Sequence, residues 1–320
     1  MVQLYPWLTP LWQQWQVQLE AERFPNAALL VAKAGFGQEQ LMTQFSRAVM
    51  CSNYASEPCG FCHSCQLMES QTHPDFHWVK PEKEGKAITV DQIRQCNRIA
   101  QESSQLSGYR LIVIEPADSM NESAANALLK TLENPASNCL FLLISTSVSH
   151  LLPTITSRCQ QWHISSPEAE QLALWLSSQT QRSVPSYAAH INGNSPLNTL
   201  KFIEDGEQKR YESVEKQLIE IASQRGDAVK LAKELSSDVE KSLLWLWYLL
   251  TDTQKAHFGL QLTSAVPGAS VLVNSIDYNL LYTQTDALQK LIEQLHQHTG
   301  LNRELLILNW LFKFNGEACL

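Results

Sequence analysis

Three short apolar runs constrain this chain more than any other feature. "NAALLVA" (26–32), "YRLIVIE" (109–115) and "CLFLLIST" (139–146) are rich in Leu, Ile and Val and do not alternate with polar residues. Runs this short and this uniformly apolar read as strands buried on both faces, which need helices above and below. The intervening stretches have that character. Thr9-Pro10 reads as an N-cap and first helical position of a helix reaching about Ala21, and Gln38 to Met50 reads as a second helix. "TVDQIRQCNRIAQES" (89–103) puts Val90, Ile93 and Ile99 on one side, and "NESAANALLKTLENP" (121–135) is capped at its start and stopped by Pro135. Gln160 to Ile164 reads as a short fourth strand. Strands alternating with helices imply a parallel sheet covered on both faces.

After Pro167 the strand signals end. Glu168–Thr180 and Pro196–Glu204 read as short helices, and from about Glu207 onward the chain reads as all-helical. Leu288, Leu291, Ile292 and Leu295 recur at helical spacing before Gly300, which is expected to stop that helix. "RELLILNWLF" (303–312) is apolar nearly all round, so it is expected to be buried in a bundle or an assembly interface.

Charge and cysteine usage narrow the class. The net charge of −8 argues against autonomous, tight binding to a nucleic-acid backbone. No basic residue precedes Arg23, so no secretory signal is expected, and "LLWLWYLL" (243–250) is far short of the roughly 18 residues a membrane span needs. Four of the eight cysteines fall within residues 51–65, which in a cytoplasmic chain points to metal.

Those four, Cys51, Cys59, Cys62 and Cys65, are spaced C-x7-C-x2-C-x2-C, with Gly60 relieving the tight turn. Four thiolates complete a closed tetrahedral zinc site with no open position for catalysis. Such a site contributes about 10–16 kcal/mol of apparent binding energy to local folding. The alternatives are free thiols, two disulfides, or a site in which His63, His73 or His77 replaces one cysteine. Cys96, Cys139, Cys159 and Cys319 read as ordinary core or surface residues.

"LLVAKAGFGQEQLM" (29–42) has the strand–turn–helix layout of a phosphate-binding loop without its working groups. The working pattern is G-x-x-x-x-G-K-[ST]. Aligned on Gly37, the loop has Ala32 for the first glycine, keeps Gly35 as a further glycine, and has Gln38 for the lysine and Glu39 for Ser/Thr. Glu39 brings a carboxylate to where the β-phosphate and magnesium would sit. Two like charges about 4 Å apart repel by roughly 4 kcal/mol at an effective dielectric near 20, enough to weaken binding about a thousandfold. The second strand carries an independent lesion: Glu115 stands where a magnesium-binding Asp is expected, and Pro116 where a water-activating Glu is expected. Both lesions are expected at the carboxyl ends of neighbouring strands, where α/β sheets place their ligands.

"YPWL" (5–8), this broken loop, the four-cysteine insertion, "VDQIR" (90–94), "NALLKTLENP" (126–135) and "TSRC" (156–159) occur in an order that resembles the AAA+ clamp-loader family of bacterial DNA polymerase III. An intact cysteine module beside a ruined ATP site resembles the family's delta-prime class. The resemblance is dense over residues 1–165. It implies a RecA-like AAA+ domain over 1–165 with a zinc module at 51–65, a helical lid over 166–206, and a helical collar over 207–320 that mediates oligomerisation. It also implies a hetero-pentameric ring with clamp-loader ATPase subunits and a clamp-opening subunit, reaching the sliding clamp and primer–template DNA through the complex, with structural Zn2+ and no ATP in this chain's own site. Arg158 of "SRC" takes the position of an arginine finger acting on a neighbour's ATP, the alternative being an arginine bonded to its own helix's last carbonyls. Thr146 falls at the family's polar sensor position, and Leu197 in "NSPLNTL" where active relatives carry an arginine. Lys86, Arg94 and Arg98 read equally as a DNA-tracking face or a solvated one.

The resulting expectation is a non-hydrolysing, stator-like subunit that donates Arg158 in trans. The alternatives are an active clamp-loader ATPase with an atypical loop, against which Gln38, Glu39 and Pro116 argue, and a zinc-module DNA-binding protein acting alone.

Overall fold

The computed structural model describes residues 4–83, 85–106, 108–136, 138–260, 264–298 and 300–315. The chain divides into two compact units, Met1–Pro167 and Glu168–Leu320. In the first, α1 (Thr9–Glu20) leads into β1 (Ala27–Val31), α2 (Gln38–Val49), α3 (His63–Glu69), β2 (Phe76–Val79) and α4 (Val90–Gln101). Then follow β3 (Arg110–Ile114), α5 (Glu122–Glu133), β4 (Cys139–Ser145), α6 (Pro153–Thr156) and β5 (Gln160–His163). The five strands lie in the order β2-β3-β4-β1-β5, all parallel.

β3 and β4 are buried along their length and β1 through Leu30, and successive side chains feed opposite layers. Ala27 and Leu29 join Ile112, Ile114, Phe141 and Leu143 in a core with Ile93, Cys96 and Ala100 of α4 and Leu128 of α5. Trp15 of α1 packs edge-on against Phe45 of α2 and Trp162 of β5, with ring centroids 4.9 and 5.5 Å apart, and Trp162 pairs in register with Leu30. The sheet is therefore covered on both faces, as the uniformly apolar runs require.

Four details differ from the sequence reading. β2 was not expected: "FHWV" has no apolar run, being an edge strand that among the described residues pairs with β3 alone, with Trp78 exposed. β4 lies between β1 and β3, so the two lesioned strands are not neighbours. Thr9 is the first residue of α1 and Leu8 its N-cap, with no side-chain cap bond. On α4 the buried stripe is Ile93, Cys96 and Ala100, with Val90 and Ile99 at its margins; Thr89 caps this helix in a reciprocal box with Gln92.

One buried ion pair knits the base of the sheet. Asp75 and Arg110 are 1% and 3% exposed and meet at 2.9 Å. Arg110 also donates to the carbonyls of Ile99, Glu102 and Ser103, tying off the carbonyl end of α4, while Asp75 accepts from the Gln105 and Leu106 backbone N–H groups at 2.8 and 3.0 Å. Both terminal nitrogens of the guanidinium and both oxygens of the carboxylate are hydrogen-bonded, leaving only the Arg110 Nε without a partner among the described residues, so the pair is tolerable in a dry interior. Burial alone would raise the Asp75 pKa, but these donors and Arg110 hold it below the ordinary carboxylate value.

The second unit contains α7 (Ala169–Gln179), α8 (Ala188–Ile191), α9 (Pro196–Glu204), α10 (Gln208–Ala222), α11 (Ala228–Leu235), α12 (Val239–His257), α13 (Ala269–Leu272), α14 (Tyr278–Gln297) and α15 (Arg303–Phe312). Its core holds Tyr211, Trp245, Leu246, Leu249 and Leu250. Asp252 of α12 accepts from His190 of α8 at 3.0 Å and from the Val266 backbone at 3.2 Å, joining the segment around α8 to the long helix α12. On α14 Leu288, Leu291 and Leu295 are buried and Ile292 half-buried; the helix ends before an extended His298, two residues short of Gly300. On α15, Ile307, Trp310 and Leu311 are buried, whereas Leu305 is 61% exposed. Cys319 lies outside the described residues.

Candidate functional site

The four insertion cysteines converge. Their sulfur atoms all lie within 4.8 Å of one another, and none is paired in a disulfide. Four sulfurs each 2.3 Å from a tetrahedral zinc would be about 3.8 Å apart, and Cys59 and Cys65 Sγ are 3.9 Å apart. The local chain orients them through backbone donors: the N–H groups of Cys59, Cys62 and Cys65 point at the sulfurs of Cys51, Cys59 and Cys62 at 3.4, 3.3 and 3.4 Å. Cys62 is also the N-cap of α3, and Gly60 takes φ +80° in the turn before it. Burial would raise the Cys62 pKa, but the Ser52 and Cys65 N–H groups bring it down to about 6. Burial and the neighbouring thiols Cys62 and Cys51 push Cys65 up to about 12. Four crowded thiolates repel one another, and a dication is the group that relieves this. The donor set thus fits a metal ion. His63, His73 and His77 are not part of the cluster among the described residues; His73 Nδ1 instead accepts from the Asp75 N–H at 3.1 Å.

The loop after β1 keeps its shape. Gly35 and Gly37 adopt φ +80° and +77°, Gly37 being the N-cap of α2. The N-terminal segment lies directly on it: a Cβ on Gly37 would stand 2.4 Å from the Tyr5 ring. The Tyr5 N–H donates to Gln40 at 3.2 Å, and Trp7 donates to the Phe36 carbonyl at 2.8 Å. Ala32 is buried, Gln38 half-buried and Glu39 exposed.

At the end of β3, Glu115 pairs with Lys80 at 3.7 Å, and the Lys80 ammonium sits 3.9 Å over the Trp78 ring. Glu39, Lys80, Lys86, Glu115 and Pro116 line one open groove of about 980 Å³. Although β4 intervenes, the two lesions therefore face the same space. Thr146 does not reach into it freely: its hydroxyl donates to Asp118 at 2.8 Å, and His150 approaches the same oxygen at 3.4 Å.

Arg158 follows α6. Its Nε donates to Glu133 Oε1 at 2.8 Å, Nη2 donates to the same oxygen, and Nη1 donates to the Thr154 carbonyl at 2.8 Å. The bond to its own helix is thus present, but the principal partner is a carboxylate from α5.

Family models for "DNA polymerase III, delta subunit" match residues 7–168, and for "DNA polymerase III, delta subunit, C terminal" residues 206–316. The DNA polymerase III subunit delta' of Escherichia coli is 32% identical over 97% of this chain and 94% of that one. The chain belongs to the delta-prime clamp-loader family. The Haemophilus influenzae subunit delta' is 38% identical over 64% of this chain and 63% of that one, and that of Pseudomonas aeruginosa 34% over 78% and 76%.

The parallel sheet with helices and the mostly helical C-terminal region expected from the sequence are both present in this delta-prime chain. No helix among the described residues is long and apolar enough to cross a membrane. Lys86 lines the groove, Arg94 pairs with Asp91 at 3.1 Å and Arg98 is exposed, so the three do not form one cluster of unpaired cations. Leu197 is half-buried on α9. Glu133, Lys80 and Tyr5 were missed as partners of the site, because each lies 25 or more positions from the group it touches. Glu133 was visible within "NALLKTLENP", but nothing local ties it to Arg158.

Proposed function

We propose that this chain is a non-hydrolysing, stator-like subunit of the replicative clamp loader. In this reading it assembles with ATPase subunits and a clamp-opening subunit in a hetero-pentameric ring in the cytoplasm and supplies Arg158 in trans to a neighbour's ATP. The sliding clamp and primer–template DNA are reached through that complex. Residues 166–206 act as the lid and 207–320 as the collar, and the cysteine cluster holds one structural Zn2+ that shapes the insertion. When bound, the zinc would supply folding energy, its closed four-sulfur shell leaving no position for substrate.

The observation that carries the reading is the Glu115–Lys80 pair facing Glu39 across one groove. The carboxylate that would approach magnesium is already neutralised from within the chain, a second carboxylate stands where phosphate would bind, and no general base follows Glu115. A site filled by its own charges has little left to offer Mg-ATP.

Titrating Mg-ATP into the isolated, zinc-loaded chain by calorimetry tests this directly. No heat of binding up to millimolar nucleotide is expected; micromolar binding would overturn the reading of Gln38 and Glu39 and favour an active or nucleotide-sensing subunit instead.

A further inference from the structure

We propose that Glu133 is a positioning residue, holding the Arg158 guanidinium from the end of α5 in the orientation from which it meets a neighbouring subunit's nucleotide. This rests on the reading of Arg158 as a finger and deepens it. A long side chain on a surface turn samples many rotamers, and only a few direct its tip outward. Here one side of the guanidinium is held: Nε and Nη2 both donate to Glu133 Oε1, and Nη1 donates to Thr154. Three of the five N–H groups are used, leaving one on each terminal nitrogen, the number a phosphate needs for two parallel bonds. The side chain remains one-third exposed, so its tip is not enclosed.

The carboxylate does nothing evident for its own helix. Glu133 is the last residue of α5, where the helix's carbonyls concentrate negative partial charge and an acidic group is unfavourable. Arg158 is its only ion-pair partner among the described residues. Removing the carboxylate therefore leaves α5 no weaker, while freeing the arginine. Both bonds to Glu133 end on one oxygen, so a glutamine, which keeps an acceptor oxygen at the same reach, retains the hold in part.

The test uses the ring reconstituted with its ATPase subunits, reading DNA-stimulated ATP hydrolysis for Arg158→Ala, Glu133→Ala and Glu133→Gln. Glu133→Ala is expected to lower kcat about tenfold with KM for ATP changed less than about twofold, because a displaced finger is lost from the transition state rather than from binding. Glu133→Gln is expected to recover most of that loss, with an unfolding temperature equal to or above that of the unsubstituted chain for both variants. If Arg158→Ala lowers kcat but Glu133→Ala does not, the positioning role is overturned and the finger stands. Equal loss in both Glu133 variants overturns the hydrogen-bonded hold. If Arg158→Ala itself has no effect, the finger reading falls, and the role of Glu133 with it.

Discussion

At the scale of single residues, a glycine and the cysteines make the sharpest claims. Gly37 sits at φ +77° with the Tyr5 ring 2.4 Å from where its Cβ would be. Gly37→Ala is expected to displace the Tyr5–Trp7 segment and destabilise the first unit by about 1–3 kcal/mol, read by chemical denaturation. Gln40→Ala, which removes only one hydrogen bond to the same segment, serves as the milder control. The metal cluster makes a second residue-level prediction: elemental analysis is expected to find one zinc per chain, lost on replacing any of Cys51, Cys59, Cys62 or Cys65 by serine. Zinc-free wild-type chain would refute it. The convergence of the four cysteines was legible in the sequence, because their spacing over fifteen positions is a local property. The Tyr5 contact was not, because it joins residues that only the tertiary fold brings together.

Between elements, the Asp75–Arg110 pair joins the start of β2 to β3 and the end of α4. Arg110→Ala leaves a buried carboxylate without its partner and takes the guanidinium donor from the Glu102 and Ser103 carbonyls, while the Ile99 carbonyl keeps its bond from the Glu102 N–H, so a loss of about 3–5 kcal/mol is expected. Arg110→Met, which still leaves Asp75 charged and buried, is expected to recover little of this, whereas Arg110→Met with Asp75→Leu recovers more. A double-mutant cycle by urea unfolding checks both. Because the Asp75 pKa is depressed on folding, its contribution is complete above the unfolded value of 3.8 and is lost as pH falls through the lower folded value. Asp252, held down against burial by His190, Lys255 and the Val266 N–H, acts with the same sign in the second unit. The acid limb of the stability curve is therefore expected to be shallower in an Asp75→Asn variant than in wild type. Sequence patterning located α4 and β3 but could not show that an arginine opening an apolar strand would turn inward. β2 escaped for the opposite reason: an edge strand with one exposed aromatic carries no apolar signature.

For the whole molecule, the function proposed is a division of labour, with the chemistry in the neighbour and the guanidinium here. Arg158→Ala is expected to leave folding and ring assembly intact while reducing DNA-dependent ATPase and clamp loading. Arginine fingers are worth about 10³–10⁵ in rate at the site they serve. Unchanged rates in the ring would refute the assignment. The exposed Leu305 on α15 shows why a nearly all-apolar helix need not be wholly buried within its own unit.

The sequence by itself determined the parallel α/β class, the helical remainder, the cysteine cluster and the glycine-bearing loop that carries Gln38 and Glu39. These follow from periodicity, composition and spacing, all short-range along the chain. Tertiary structure alone decided which strands adjoin, that Glu39 and Glu115 face one groove across an intervening strand, that Lys80 neutralises Glu115, and that Glu133 grips Arg158. Each of these is a meeting of distant residues. Their partners are selected by the packing of the sheet and its helices, which leaves no mark on the local pattern.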